Sequence, residues 1–475
     1  MPWFERPLIA LLERQYARAM QFEPGGRAPE LPPAPAAACQ LYVHVPFCEV
    51  LCPFCSFHRV RFDASRARPY FDALRREIAL YHAAGFRFQD VYVGGGTPTV
   101  DPPQLLETLA FVRSLWPVRS ISVETNPNHL QPELLQTLDA VRARSPVRSI
   151  SIETNPNHLQ PEALRRYRDA GVTRLSVGVQ SFDDGLLASM DRLHKYGSGE
   201  QIRQRLAAAQ GIVPTLNVDM IFNLPGQTLA MLGHDLDRLV GLGVEQVSFY
   251  PLMTARGARR RMARTMGFAD PALRHPMYEL IGRRLQPGYR PSSAWCFARG
   301  QDLHDEYIID QDDYVGVGSG AFSYVGGTMY STTFSLRHYL RRVGAGGSGI
   351  AEQRRLSARE RMRYDLLMRL FGGELDLAAM RARHGTDVAR ALAPELVAMR
   401  LLGATRRDGY VLRLTPRGRY IWVLMMAGFF NAVNEVRSRM REHIRAELES
   451  WNVEVAVPVA EIGRPVARGA QATQS

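Results

Sequence analysis

The sequence predicts an α/β protein, an open partial barrel of βα units followed by a mainly helical C-terminal domain. Three observations carry that reading. From Gln40 to about Pro251, short β-branched runs alternate with amphipathic segments of helical period, the pattern of parallel strands joined by crossover helices. Six such runs are candidate strands, which suits a partial (β/α)6 wall better than a closed eightfold one. Beyond residue 346 the strand-like runs give way to helical periodicity. A chain of 475 residues with 46% apolar and 22% charged residues has ordinary globular composition, which excludes disorder as its main theme.

In chain order, residues 1–39 hold an amphipathic segment, Met1 to Gln21, and a Pro/Ala-rich stretch, Leu31 to Ala38. The segment mixes Glu5, Arg6, Glu13 and Arg14 and lacks the basic start, apolar centre and small-residue cleavage site of a secretory signal. The chain is therefore expected in the cytoplasm. The barrel spans 40–255, with strands at Leu41 to Val45, Val91 to Gly94, Ser120 to Glu124, Arg174 to Val179, Leu216 to Phe222 and Val247 to Tyr250. Helices begin near Pro69, Pro102, Pro132, Pro161, Asp183 and Gly199. Residues 256–345 extend the barrel and cover the substrate. Within 346–455, helices run over Leu356 to Leu370, Leu375 to His384 and Val388 to Leu402, with a hairpin-like stretch at Gly409 to Thr415. Tyr420 to Phe430 is the longest nearly uninterrupted apolar run, too short for the ~20 residues of a membrane-spanning helix. It reads as a buried helix, with a lid over an apolar substrate or a membrane-surface contact as the sharper alternatives. The remainder, 456–475, is a small, polar tail.

One segment is repeated. Val118-Arg-Ser-Ile-Ser-Val-Glu124-Thr-Asn-Pro-Asn-His-Leu-Gln-Pro-Glu133 recurs as Val147-Arg-Ser-Ile-Ser-Ile-Glu153-Thr-Asn-Pro-Asn-His-Leu-Gln-Pro-Glu162. Residues 118–162 are thus a tandem copy of one βα unit, not a solenoid, which needs about three or more repeats. A wall with a fixed number of strands is expected to seat one copy. The second runs directly into the tight turn at Ala170-Gly-Val-Thr, which favours Glu153 as the working carboxylate and puts Glu124 on an extra or displaced unit.

The 59 Lys and Arg against 47 Asp and Glu leave a net charge of +12, which suits nucleic acid, a membrane surface or a polycarboxylate. The excess is dispersed, mostly at helical spacing, as in Arg256 to Arg264 and Arg437 to Arg441. It reads as solvated helix faces rather than a nucleic-acid stripe.

Five cysteines are too few for a disulfide framework. Three stand in Tyr42-Val-His-Val-Pro-Phe-Cys48-Glu-Val-Leu-Cys52-Pro-Phe-Cys55, directly after the first strand. Spacing this tight wraps one loop around a single metal centre. Zinc takes four ligands, and no fourth Cys or His pair lies at suitable spacing. A 4Fe–4S cubane usually takes four thiolates; three hold it when one iron is left open to chelate the amino and carboxylate groups of a small molecule. Cys39 and Cys296 are not read as ligands, and His44 is as readily a satisfied core residue as a functional one.

Chemistry in such barrels collects at the C-terminal strand ends. There stand Gly94-Gly-Gly-Thr-Pro98, where backbone can approach a ligand, the carboxylate of Glu-Thr-Asn-Pro-Asn, Gly178-Val-Gln180-Ser-Phe182, and Asp219. A buried Asp in an apolar strand is costly unless paired. Asp219 therefore needs a partner, and a ligand is one candidate.

Together these motifs resemble the radical S-adenosylmethionine (SAM) superfamily, and within it the branch of oxygen-independent coproporphyrinogen III oxidase. The likeness rests on Tyr42-x-His-x-Pro-Phe-Cys-x3-Cys-x2-Cys, Gly94 to Thr99, Glu-Thr-Asn-Pro, Arg174-Leu-Ser-Val-Gly-Val-Gln-Ser-Phe182 and Asp219-Met-Ile-x-x-Leu-Pro. It implies a partial (β/α)6 radical SAM barrel with a mainly helical, winged-helix-like C-terminal domain, a 4Fe–4S cluster, and one or two SAM molecules. By the same resemblance Cys48, Cys52 and Cys55 would ligate the cluster, whose electron breaks a C–S bond of SAM to give a 5′-deoxyadenosyl radical. Tyr42, Phe54, Gly95, Gly96, Thr97, Glu124, Glu153, Gln180, Arg192 and Asp219 would line the SAM site. Tyr314-Val-Gly-Val-Gly-Ser-Gly-Ala321 resembles the glycine-rich segment that follows the barrel. The partners implied are a small-molecule substrate, haem or another tetrapyrrole, and a reductant such as flavodoxin or ferredoxin, with no nucleic acid.

Departures from the branch bear on substrate. The oxidase continues its cluster loop with Cys-Gly-Cys, where this chain has Cys55-Ser-Phe57. Bacterial haem chaperones of the branch carry His-Asn-x-x-Tyr-Trp, where this chain has His304-Asp-Glu-Tyr307-Ile-Ile. His194 to Glu200, Asp305-Glu-Tyr-Ile and Thr333-Phe-Ser-Leu-Arg337 look most like the haem-utilisation members. The expected reaction is therefore anaerobic haem degradation by radical methyl transfer and ring opening. Oxidative decarboxylation of coproporphyrinogen III and a haem-binding carrier are the alternatives.

Overall fold

The computed structural model describes residues 7, 21–22, 30–49, 51, 58–124, 151–169, 171–253, 265–300 and 312–449. Alternating apolar residues build the wall strands: β1 (Cys39–Val45), β2 (Phe88–Gly95), β3 (Ser120–Val123), β4 (Ser151–Thr154), β5 (Arg174–Gln180), β6 (Thr215–Phe222) and β7 (Gln246–Pro251). All six expected strands are present, and the fold class is the α/β partial barrel that the sequence predicts. The wall gains a seventh parallel strand because both copies of the repeat form one. This corrects the expectation that one copy sits on a displaced unit: each copy brings the same alternating run and buries it, through Ile121 and Val123 in one and Ile152 in the other.

The wall is divided. β1, β2 and β3 belong to one sheet and β4 to β7 to another; β3 and β4 touch without sharing a backbone ladder. At the outer edges, β8 (Cys296–Ala298) pairs antiparallel with β7, and β9 (Tyr314–Val317) pairs parallel with β1. From β9 the chain continues antiparallel through β10 (Phe322–Val325), β11 (Thr328–Thr332) and β12 (Ile350–Arg355).

Outward-facing Leu41, Val43, Leu175, Val177, Leu216, Val218 and Val247 are fully buried under the crossover helices, each such side chain worth about 1.5–3 kcal/mol. Those helices are α1 (Ala64–Ala83), α2 (Pro102–Leu115), α3 (Pro161–Asp169), α4 (Asp184–Ser189), α5 (Gly199–Ala209) and α6 (Leu229–Leu242), followed by α7 (Arg274–Leu285) and α8 (Leu336–Gly344). Side-chain caps fix their starts: Asp63, Asp101, Asp183, Ser198 and Thr228 each accept a first-turn amide, satisfying donors that have no intrahelical partner. The cap at Asp63 starts α1 ahead of Pro69, which lies inside the helix rather than at its beginning. The helix expected near Pro132 lies outside the described residues.

The C-terminal region runs α9 (Ala358–Phe371), β13 (Glu374–Asp376), α10 (Leu377–His384), a short turn of helix at Val388–Ala391, α11 (Ala393–Leu401), β14 (Thr405–Asp408) and β15 (Val411–Leu414). Its sheet order is β13-β15-β14. Helix, strand, two helices and a hairpin make the winged-helix-like arrangement expected. The long α12 (Pro416–His443) follows. Tyr420 to Met426 is buried throughout, and the Trp422 indole donates to the Leu367 carbonyl at 2.9 Å. The apolar run is thus a core helix and not a lid. Among the described residues, no helix is long and apolar enough to cross a membrane. The tail 456–475 and, of the amphipathic segment Met1 to Gln21, all but Pro7 and Gln21 lie outside the described residues.

Candidate functional site

β1 ends at Val45, and the short parallel pair Phe47–Cys48 with Val60–Arg61 holds the two ends of the cysteine loop together. The glycine turn after β2 is laid across this end. Gly96 N–H donates to the Val45 carbonyl at 2.8 Å and Thr97 N–H to that of Phe47 at 2.7 Å. The Thr97 hydroxyl donates to Cys48 Sγ at 3.6 Å. A Cβ on Gly96 would fall 2.6 Å from the Phe47 carbonyl and 2.9 Å from Cys48 Sγ, so only glycine allows the turn to lie on the thiol. Gly95, at φ +122°, rests in the same way on the His44 ring. Cys52, Phe54 and Cys55 lie outside the described residues.

One side of the lumen is fully paired. Tyr42 and Tyr92 stack with ring centroids 6.1 Å apart. The Tyr42 hydroxyl meets His44 Nδ1 at 2.9 Å, and His44 Nε2 meets the His58 carbonyl at 3.2 Å. A carbonyl only accepts, so Nε2 carries the proton and Nδ1 takes the tyrosine's hydrogen bond. Burial holds the imidazole down to about 3, so His44 is a neutral, satisfied residue. Glu124 accepts from Tyr92 O–H at 2.9 Å and from Gly95 N–H at 3.0 Å. Burial raises its carboxyl, and those two donors work against the rise.

The other side is polar in a different way. Strand alternation turns Glu153, Arg174, Ser176, Asn217, Asp219 and Ser248 to the lumen, as their register across β4 to β7 requires. Arg174 reaches Gln246 Oε1 at 3.2 Å and Ser151 Oγ at 3.1 Å. Its charge persists in the wall because Asp219 and Glu153 stand beside it, against the desolvation that opposes it. Asp219 accepts from Ser176 O–H and Asn217 N–H, both at 2.8 Å, so the partner its burial demands is supplied by the protein. Glu153 shows open surface to the lumen and makes no hydrogen bond or ion pair with a described residue. Burial first, then the nearby Glu124 and Asp219 charges, push its carboxyl up to about 8.

At the mouth, Arg192 donates to the Gly178 carbonyl and, at 3.3 Å, to Asn155 Oδ1, and lies 4.4 Å from the centroid of the Tyr196 ring. Gln180 has φ +76° and Asn223 φ +62°, strained positions at the ends of β5 and β6; such strain gathers at ligand sites. The structure thus brings Tyr42, Gly95, Gly96, Thr97, Glu124, Glu153, Gln180, Arg192 and Asp219 to one end and the interior of one barrel, with Cys48 beside them. Sequence reasoning missed Tyr92, Ser176, Asn217 and Ser248, and did not single out Arg174. Their signal was a polar residue at every second position of otherwise apolar strands. It also missed Glu77 and Tyr70. Glu77 accepts from Gly318 N–H, Gly349 N–H and Tyr339 O–H, and Tyr70 bridges the His44 carbonyl to Ser319 N–H. Together they fasten the glycine segment 314–321 to the end of β1.

Residues 42–239 match the model of the Radical SAM superfamily. The chain is 29% identical to heme chaperone HemW of Mycobacterium tuberculosis over 411 residues, 83% of this chain and 95% of that protein. It is 27% identical to oxygen-independent coproporphyrinogen III oxidase of Bradyrhizobium diazoefficiens, covering 88% of this chain and 93% of that one. Its fold matches the coproporphyrinogen III oxidase (HemN) of Escherichia coli with a TM-score of 0.60 at 23% identity, over 87% of this chain and 92% of that one. The superfamily's cofactors, a 4Fe–4S cluster and SAM, fit the residues present: a thiol at Cys48 under a turn stripped of side chains, and a lumen with polar groups at the strand ends. Residues 42–239 are thus similar to the Radical SAM superfamily, and the chain as a whole is similar to proteins of the HemN and HemW kind.

Proposed function

We propose that this protein is a radical SAM enzyme that acts on a tetrapyrrole, with oxidative decarboxylation of a porphyrinogen carboxylate side chain as its reaction. The observation that supports this most is the lumen side chain Glu153, without a hydrogen bond among the described residues and set beside Arg174 and Asp219 in the barrel whose rim carries Cys48. When bound, the cluster and SAM supply the radical chemistry. The chain's own residues position and shield. Gly95, Gly96 and Thr97 shape the turn over Cys48, and Glu124 holds that turn in place. Arg174 and Arg192 offer positive charge to substrate carboxylates, and Glu153 presents a carboxyl, raised by burial and by the nearby Glu124 and Asp219 charges, for hydrogen bonding into the lumen. Haem degradation gives way to this reading because the relatives compared are named as heme chaperones and coproporphyrinogen oxidases.

A second reading, haem carriage without turnover, is favoured by the 29% identity to HemW over 95% of that protein's length. Anaerobic incubation of the reconstituted protein with dithionite, SAM and either coproporphyrinogen III or haem separates the two. An enzyme releases 5′-deoxyadenosine and carbon dioxide with the porphyrinogen. A carrier retains the haem spectrum and turns over neither. Bleaching of haem with methyl transfer would overturn both and restore haem degradation.

A further inference from the structure

We propose that the cleft between α7 and the start of α12 is a second ligand site, for a planar aromatic molecule bearing two or more carboxylate or phosphate groups. The cleft encloses about 870 Å³, within the ~300–1,000 Å³ of cofactor-sized sites. It lies outside the barrel, on the side where α7 packs against α6 and β6, and is closed by β14 and the first turn of α12. Its floor is aromatic. Tyr278 and Tyr420 are buried, with ring centroids 5.7 Å apart, a surface suited to a flat ring system.

Four arginines line the cleft, and besides Arg417 they come from three different elements: Arg283 of α7, Arg406 of β14 and Arg419 of α12. None of these last three makes a hydrogen bond or ion pair with another described residue, whereas their neighbours do: Arg284 pairs with Asp237 and Arg413 with Glu374. Arg406 stands directly across the hairpin from Arg413, a like-charge pairing that weakens a strand ladder. Arg419 Nη1 is buried without an acceptor, a costly state that an anionic ligand atom would relieve. The lining carboxylate, Glu279, lies 3.7 Å from His275. The N-terminus of a 28-residue helix opens onto the cleft at Thr415 and Pro416 and adds its positive end. Guanidinium forks match carboxylate and phosphate alike, so both sources are tested.

The inference does not rest on the barrel reading, and the experiment keeps the two apart. The full-length protein is titrated separately with coproporphyrin III and with ATP, and with the uncharged coproporphyrin tetramethyl ester as control. The titrations are repeated on Arg283→Gln/Arg406→Gln, whose two sites are solvent-exposed, and on Arg406→Gln alone in case the double variant does not fold. The parent is expected to bind at least one anionic probe saturably, with affinity that falls as salt is added, and not to bind the ester in the cleft. The double variant should bind at least tenfold more weakly at an unchanged melting temperature, and the single variant several-fold more weakly. Coproporphyrin binding alone assigns the site to carboxylates, ATP binding alone to phosphates. Any porphyrin bound in the barrel persists in both variants as a separate, unchanged isotherm. The proposal is overturned if the variants bind both probes as tightly as the parent, or if the parent binds neither.

Discussion

Glu124 and Glu153 come from two copies of one sequence that differ only at Val123 and Ile152, yet their surroundings are opposite. Glu124 falls just past β3 and is tied to Tyr92 and to the glycine turn. Glu153 lies within β4, faces the lumen, and has no hydrogen-bonded partner among the described residues. The difference is one of neighbours. β3 pairs with β2, whose C-terminal glycines present a free N–H; β4 pairs with β5, whose lumen face brings Arg174 and Ser176. A carboxylate's role in this wall is therefore set by the strand beside it, not by its own motif.

The largest expected effect lies at the rim both sides share. Replacing Cys48, Cys52 or Cys55 by Ala should abolish bound iron in the reconstituted protein, because two thiolates do not retain a cubane. Cys39→Ala and Cys296→Ala should keep the parent's iron content, since both thiols are buried in the sheets. Iron loss in the Cys296 variant equal to that of the loop variants would end the three-ligand argument.

The comparison itself predicts a split. Glu124→Ala removes the carboxylate that accepts from Gly95 N–H and Tyr92 O–H, at about 1–3 kcal/mol of stability, read as a lowered midpoint in denaturant. Glu153→Ala removes no hydrogen bond with a described residue and also removes the carboxyl whose ionisation the fold opposes, so the midpoint at neutral pH should stay at or above the parent's while ligand binding in the barrel weakens. Equal destabilisation by both would show that the two seats are equivalent after all.

Smaller again is the pH signature of Glu153. Its carboxyl is pushed from the usual 4.5 up to about 8 in the fold, so between those values the folded protein holds a proton that the unfolded chain has released. Stability must then fall as pH rises across that window. Burial, and then the Glu124 and Asp219 charges, sustain the shift, and Arg174 opposes it. In Glu153→Gln the melting temperature should decline less from pH 5 to pH 8 than in the parent. An unchanged slope would mean that the carboxyl is ionised at neutral pH. Smallest is Cys296→Ser, which keeps a polar atom near Gln246 Nε2 and Ser248 Oγ and is expected to cost about 1 kcal/mol or less.

Much of this was legible in the sequence. The strands announced themselves by β-branched runs, and each expected strand was found within a few residues. Cys48 and the turn at Gly94 to Thr97 were legible because local spacing fixed them. What was not legible depended on contacts between distant segments. The wall could admit a seventh strand only if β3 found β2 and β4 found β5, and nothing in a repeat states which neighbours its copies will choose. Asp219 called for a partner, but Ser176 stands 43 positions away along the chain and is an ordinary serine until β5 and β6 pair. The arginines at 283, 406 and 419 could not be grouped at all, since only the docking of α7 against α12 brings them to one cleft.

The divided wall also has a genetic consequence. Because Val118 to Glu133 and Val147 to Glu162 match at all but one position, recombination between the two copies would excise one repeat length in frame and leave an intact Ser-Ile-Ser-Val/Ile-Glu-Thr-Asn-Pro unit behind. The survivor would inherit both neighbours, β2 on one flank and β5 on the other, and the two sheets would become continuous. A chain with one copy removed would carry one glutamate at this point of the wall where the present chain has two.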